Sequence, residues 1–131
     1  MDSINWLAVL VAAAAGFAIG GVWYGPLFAK PWMAAAGMTE EKIRTGNPAK
    51  IYGLTFVMNV IAAFSLVMFL GPERTWETGL FYGSLTGITF VSTAIGITYL
   101  FEHRPLSQFL INAGYQTVNF ATMGVILGAW R

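Results

Sequence analysis

Charged side chains fall into tight groups along this chain, separated by long apolar stretches. Residues 3–29, 51–72, 78–101 and 105–130 contain no Asp, Glu, Lys or Arg. Crossing about 30 Å of hydrocarbon takes about 20 helical residues at 1.5 Å each. Each stretch suffices for one crossing and is too short for two. The pattern predicts an all-α fold, a four-helix transmembrane bundle in a single domain, 1–131. The spans are expected near 4–24, 49–71, 79–101 and 106–130. All five prolines (Pro26, Pro31, Pro48, Pro72, Pro105) fall at or outside the span ends, where a missing N–H costs least.

The first connection is the long one. Phe28, Trp32 and Met33 can share one side of a short amphipathic helix that Gly37 would end. Thr39 can cap a second helix through Glu40-Glu41-Lys42-Ile43-Arg44. Lying flat among headgroups and forming a surface loop with one helical turn are both open readings of this segment. Asn47 is placed to cap the second span, with Pro48 in its first turn.

Composition agrees with the pattern. The chain is 56% hydrophobic and 10% charged, more apolar than the roughly 45–50% of soluble domains. A net charge of +1 supplies no basic face, so no nucleic-acid partner is expected. The lipid bilayer is the expected partner, and any small-molecule ligand is unknown. Cysteine is absent, which removes disulfides, thiolate catalysis and Cys-based zinc sites. No metal or cofactor is expected. Before the first apolar run the only charged side chain is Asp2. A secretory signal carries a positive segment there and a shorter core of about 7–15 residues. The first span is therefore read as retained.

Orientation follows from Lys and Arg. The first and third connections hold Lys30, Lys42, Arg44, Lys50 and Arg104. The termini and second connection hold Arg74 and Arg131. The positive-inside rule puts the former in the cytoplasm and both termini outside, in a cell inner membrane. Aromatic rings mark the two interfaces. Trp6, Trp76, Phe81, Tyr82 and Trp130 belong to one, and Trp23, Tyr24, Phe28, Tyr52, Tyr99 and Phe101 to the other. Trp32 is a further anchor in the amphipathic segment.

Within the spans, small residues decide packing. Gly79, Gly83 and Gly87 recur every four residues. Gly16 with Gly20, Gly21 with Gly25, and Gly124 with Gly128 make further pairs. Such faces let backbones approach closely. They serve either packing within one bundle or a seam between subunits of a homo-oligomer. Asn59, Ser92 and Asn119 are expected near the midplane, with Thr89 and Thr93 close by. Asn112, Gln116 and Asn119 have the i, i+4, i+7 spacing of one helix face, with Tyr115 beside them. An unpaired amide in hydrocarbon costs several kcal/mol, on the order of 2–7. These groups are either interhelical glue or the polar lining of a path for a small solute. His103, in Glu102-His103-Arg104, lies at a span end, where a charge cluster explains it better than acid–base or metal chemistry.

The run Trp23-Tyr24-Gly25-Pro26-Leu27-Phe28, then Lys30, Trp32 and Gly37-Met38-Thr39, resembles the bacterial small membrane proteins grouped as "domain of unknown function 1761". The resemblance covers most of the chain. It implies a multi-pass membrane protein and no particular activity, and no catalytic role is carried to any residue. The motif also reads physically, with Trp23 and Tyr24 as anchors and Gly25-Pro26 ending the helix. Together these readings predict a non-enzymatic membrane protein, a homo-oligomer packed through glycine-rich helix faces. The alternative is a channel or facilitator lined by Asn59, Asn112, Gln116 and Asn119. A membrane enzyme using His103 is the distant third.

Overall fold

A computed structural model describes residues 4–131. Helices are the only regular elements among the described residues. They are α1 (Trp6–Val22), α2 (Ala29–Ala36), α3 (Glu40–Thr45), α4 (Pro48–Leu70), α5 (Trp76–Thr86), α6 (Ser92–Phe101) and α7 (Leu106–Ala129). Two π-helical turns interrupt the long rods. One spans Trp23–Leu27 and prolongs α1. The other spans Gly87–Val91 and joins α5 to α6.

Local chemistry sets the helix ends. The side chains of Asn5, Thr39 and Asn47 accept from the backbone N–H groups of Ala8, Lys42 and Lys50, satisfying donors that a helix start leaves orphaned. Thr75 and Thr78 form a reciprocal capping box at α5. Gly37 ends α2 at φ +70°, in the left-handed region that glycine reaches without strain.

The first rod runs past Tyr24 to Leu27, with Pro26 inside it. Proline has no N–H and its ring crowds the carbonyl four residues back. The turn widens at this point, and the Phe28 N–H bonds to the Trp23 carbonyl, five residues back, at 2.9 Å. The chain changes direction at Phe28 rather than at Gly25-Pro26. The second π turn has a different origin. The Ser92 hydroxyl donates to the Gly87 carbonyl at 2.7 Å, and the Ser92 N–H reaches the same oxygen.

Three rods, Trp6–Leu27, Pro48–Leu70 and Trp76–Phe101, are long and apolar enough to cross a membrane. The expectation of four spans is therefore met in part. α7 has 24 residues and no charge, but its polar stripe makes it less apolar than the other three. It is nevertheless the hub. α1, α4 and the α5–α6 rod all pack on it, and so does α2.

The interior is graded along the bundle. At the end nearest the chain termini, Ala8, Val9, Ala12, Ala63, Leu66, Val67, Met123 and Leu127 form an apolar core, each at most 2% exposed. Toward the other end the interior becomes polar. The α5–α6 rod meets α7 through glycines. A Cβ on Gly79 would lie 1.8 Å from the Gly124 carbonyl oxygen, and one on Gly128 would lie 1.9 Å from that of Thr75. Gly83 and Gly87 face the backbone at Phe120 and Thr117 in the same way. These glycines are thus occupied within the chain. Gly21, Gly25 and Gly53 face open space.

Candidate functional site

Two polar layers sit on α7, stacked along its inward face. The deeper one joins three helices. Asn59 of α4 donates through Nδ2 to the Ala13 carbonyl of α1 at 2.9 Å. That bond requires the amide nitrogen to face α1, so Oδ1 faces α7. There it accepts from Asn119 Nδ2 at 3.1 Å. The chain of bonds fixes both amide orientations. Asn119 Oδ1 is left buried with no donor, pressed against Gly16. A Cβ on Gly16 would lie 2.0 Å from that oxygen and 2.5 Å from Asn59 Nδ2. A Cα–H of Gly16 is the one group small enough to meet it, a contact worth about 0.5–1 kcal/mol. One turn away, Tyr115 donates its hydroxyl to the Gly16 carbonyl at 3.0 Å, and its ring lies close to the Gly20 position.

The second layer lies at the end of the bundle near α2. Tyr24 donates to Asn112 Oδ1 at 2.6 Å, and Asn112 Nδ2 donates to the Tyr99 hydroxyl at 2.6 Å. One amide thereby links the first rod, α6 and α7. Trp23 donates its indole N–H to the Ile111 carbonyl at 2.9 Å. The Tyr24 ring contacts Tyr115 and Trp32, with centroids 5.4 and 5.5 Å away. Trp23 and Tyr24, expected as interface anchors, thus turn into the bundle. Gln108 lies one turn before Asn112 on the same face. It is 7% exposed, and its Oε1 has no donor.

Other candidates separate from these layers. Ser92 is buried and bonded to its own π turn. Thr93 is exposed, its hydroxyl turned back onto the Thr89 and Phe90 carbonyls. Gln116 is half-buried on α7 and enters neither hydrogen-bonded layer. Trp6, exposed, stacks on Phe64 at 5.3 Å, and Trp76 and Trp130 are exposed near the terminal end. His103 is exposed in a turn at φ +56°. Its neighbour Glu102 pairs with Arg104 at 3.3 Å rather than with the imidazole.

One inward charge was not foreseen. Arg74, in the turn between α4 and α5, is 3% exposed. Its Nε donates to the Leu127 carbonyl at 2.9 Å and its Nη1 to the Gly71 carbonyl at 3.0 Å. The guanidinium therefore sits at the C-terminal ends of α4 and α7 together, where both helix dipoles are negative. Burial lowers its pKa, and the charge of Arg131 lowers it further.

The profile of the family described as "Protein of unknown function (DUF1761)" matches residues 7–128. The chain belongs to this family. The match takes in both polar layers and the glycine contacts, so they lie within the family's own domain. Comparison with curated proteins and with solved structures finds no match.

Proposed function

We propose that this member of the family is a four-span inner-membrane protein, with both termini outside the cytoplasm, that performs no bond chemistry of its own. The observation that carries the membrane reading is its inverted polarity. Phe69, Phe90, Leu100 and Phe101 are 73–83% exposed, while Asn59, Gln108 and Asn119 are buried. Lipid accommodates such a surface and water does not. Exposed hydroxyls fit the same solvent. Thr55, Thr86, Thr89 and Thr98 each donate to a carbonyl one turn back, which hides the group from hydrocarbon.

α7 is the fourth crossing in this reading. Its lowered hydropathy comes from residues turned inward, while Leu106, Leu110 and Val118 face out. Fusions at Arg131 test it. Alkaline phosphatase there should be active and green fluorescent protein dark. A fluorescent fusion with inactive phosphatase would overturn it. Self-association would use helix glycines that meet nothing within 4 Å, Gly21, Gly25 and Gly53, rather than Gly79, Gly83, Gly87, Gly124 and Gly128, which are occupied within the chain. Native mass measurement in nanodiscs showing only monomer would refute it.

A second reading, a facilitator for a small solute, is favoured by one observation. Buried acceptors without donors, Gln108 Oε1 and Asn119 Oδ1, occur in both layers of the stripe. Most buried polar groups find a partner, and of these two Asn119 Oδ1 is closed off by Gly16, so Gln108 Oε1 carries the reading. Proteoliposomes should pass a small neutral solute, and Asn119→Leu should abolish that flux. Flux unchanged by the substitution, or none for urea, acetamide or glycerol, counts against passage.

A further inference from the structure

The layer beneath α2 has open hydrogen-bonding capacity of both kinds. Gln108 offers an acceptor sealed from solvent and without a donor. Tyr99 accepts from Asn112, and its own hydroxyl proton has no acceptor among the described residues. Gln108 and Asn112 share one face a turn apart, and Asn112 holds the Tyr99 hydroxyl at 2.6 Å. Glu102 and Arg104, the charges nearest in sequence, are exposed and pair with each other. A charged ligand would find no counter-ion among the four polar side chains of this layer.

α2 covers this layer. It packs on α7, and Trp32 on α2 contacts the Tyr24 ring. Its two ends are joints, Phe28 at φ −128° and Gly37 at φ +70°. The helix can therefore tilt without breaking its own hydrogen bonds. The interior is polar at this end and apolar at the other.

We propose that Gln108, Asn112, Tyr24 and Tyr99 form a binding site for a small uncharged solute, with α2 as its lid. The solute carries both a hydrogen-bond donor and an acceptor, as a primary amide or a polyol does. Its N–H or O–H satisfies Gln108 Oε1, and its oxygen takes the Tyr99 proton. This deepens the solute reading above and separates from it. Binding without flux keeps the site and removes the passage.

The test uses the full chain in nanodiscs, labelled with 5-fluorotryptophan. Trp23 and Trp32 touch the site's surroundings, while Trp6, Trp76 and Trp130 lie toward the other end. Titration with acetamide, and separately with glycerol, should give saturable fluorine shifts at Trp23 and Trp32 alone. Acetate and methylammonium should give none. Gln108→Leu should weaken binding about tenfold or more, the equivalent of one hydrogen bond. Gln108→Met, closer in shape, should do the same, and an unaltered ligand-free spectrum checks that each variant is folded. Shifts that are linear, that appear equally at all five tryptophans, or that survive both substitutions would overturn the proposal.

Discussion

Gly79→Ala is the most informative single substitution on the α5–α7 contact. The added Cβ would sit 1.8 Å from the Gly124 carbonyl oxygen and 2.5 Å from its carbon. Ordinary contact begins near 3.4 Å, and the obstacle is backbone, which no rotamer change can remove. The helices must part by about 1.5 Å at that level. A gap of only 0.5–1 Å forfeits about a quarter to a half of each dispersion contact along the seam. In lipid, dispersion is the main attraction between helices. Overpacking in well-packed cores costs about 1–3 kcal/mol, and a clash against backbone falls at the upper end. Gly124→Ala meets the same contact from the other side, at 2.0 Å from the Gly79 carbonyl oxygen. Once one has parted the helices the second adds little, so the double variant should cost about 1–3 kcal/mol less than the sum. Gly21→Ala, which meets nothing within 4 Å, is the control. Unfolding by dodecyl sulfate in mixed micelles, followed by tryptophan emission, reads all four proteins. Gly79→Ala as stable as Gly21→Ala, or full additivity with Gly124→Ala, would refute the reasoning.

Other outcomes are expected in the same assay. Asn59→Leu removes the link to Ala13 and orphans Asn119 Nδ2, so it should cost about 1–2 kcal/mol, and Asn59→Leu with Asn119→Leu should cost less than the two singly. Arg74→Lys keeps the charge but loses the fork that bonds two carbonyls, and should cost about 1.5–3 kcal/mol. The lowered pKa of Arg74 means the folded state binds its proton less tightly, so this group raises stability as pH rises. That gain falls only where the guanidinium titrates, whereas a lysine, with an ordinary pKa of about 10.4 that the same burial lowers, titrates earlier, so the cost of Arg74→Lys should be smaller at pH 9 than at pH 6. Gly37→Ala strains the left-handed end of α2 by about 1–2 kcal/mol, and circular dichroism should show slightly less helix.

Much of this architecture is legible in the sequence because the charges gather outside the long helices, although Pro26 lies inside the first rod. Gaps between charges mark the long helices to within a few residues, and Asn47-Pro48 marks the start of α4. The spacing marks Asn112, Gln116 and Asn119 as one face with Tyr115 beside them, and of these Asn112, Tyr115 and Asn119 enter the hydrogen-bonded layers while Gln116 does not. The extension of this face to Gln108 also has a signal, the four-residue step to Asn112. At a span start, that glutamine reads as a headgroup contact. What faces each residue is harder to read. A glycine face looks the same whether another helix or another subunit covers it, and only three-dimensional placement sets Gly79 against Gly124. Trp23 and Tyr24 read as a lipid-interface belt because amphipathic rings prefer interfaces. Their N–H and O–H groups turn inward because Ile111 and Asn112 offer acceptors there. Arg74 reads as a loop charge, although an arginine three residues past Gly71 is placed to reach the last carbonyls of α4. The π turns depend on competition for single carbonyls, which hydrophobic periodicity does not record.

Four crossings with an inward polar stripe on α7 is the central claim, and cysteine accessibility in intact cells tests it most directly. The chain has no cysteine of its own, so each introduced thiol reports one place. Replacing Glu77 or Arg131 should give labelling by an impermeant maleimide from outside, whereas replacing Lys42 or His103 should give labelling only after the cells are opened. Labelling of the Arg131 and His103 positions from the same side would mean that α7 does not cross, and would contradict the account.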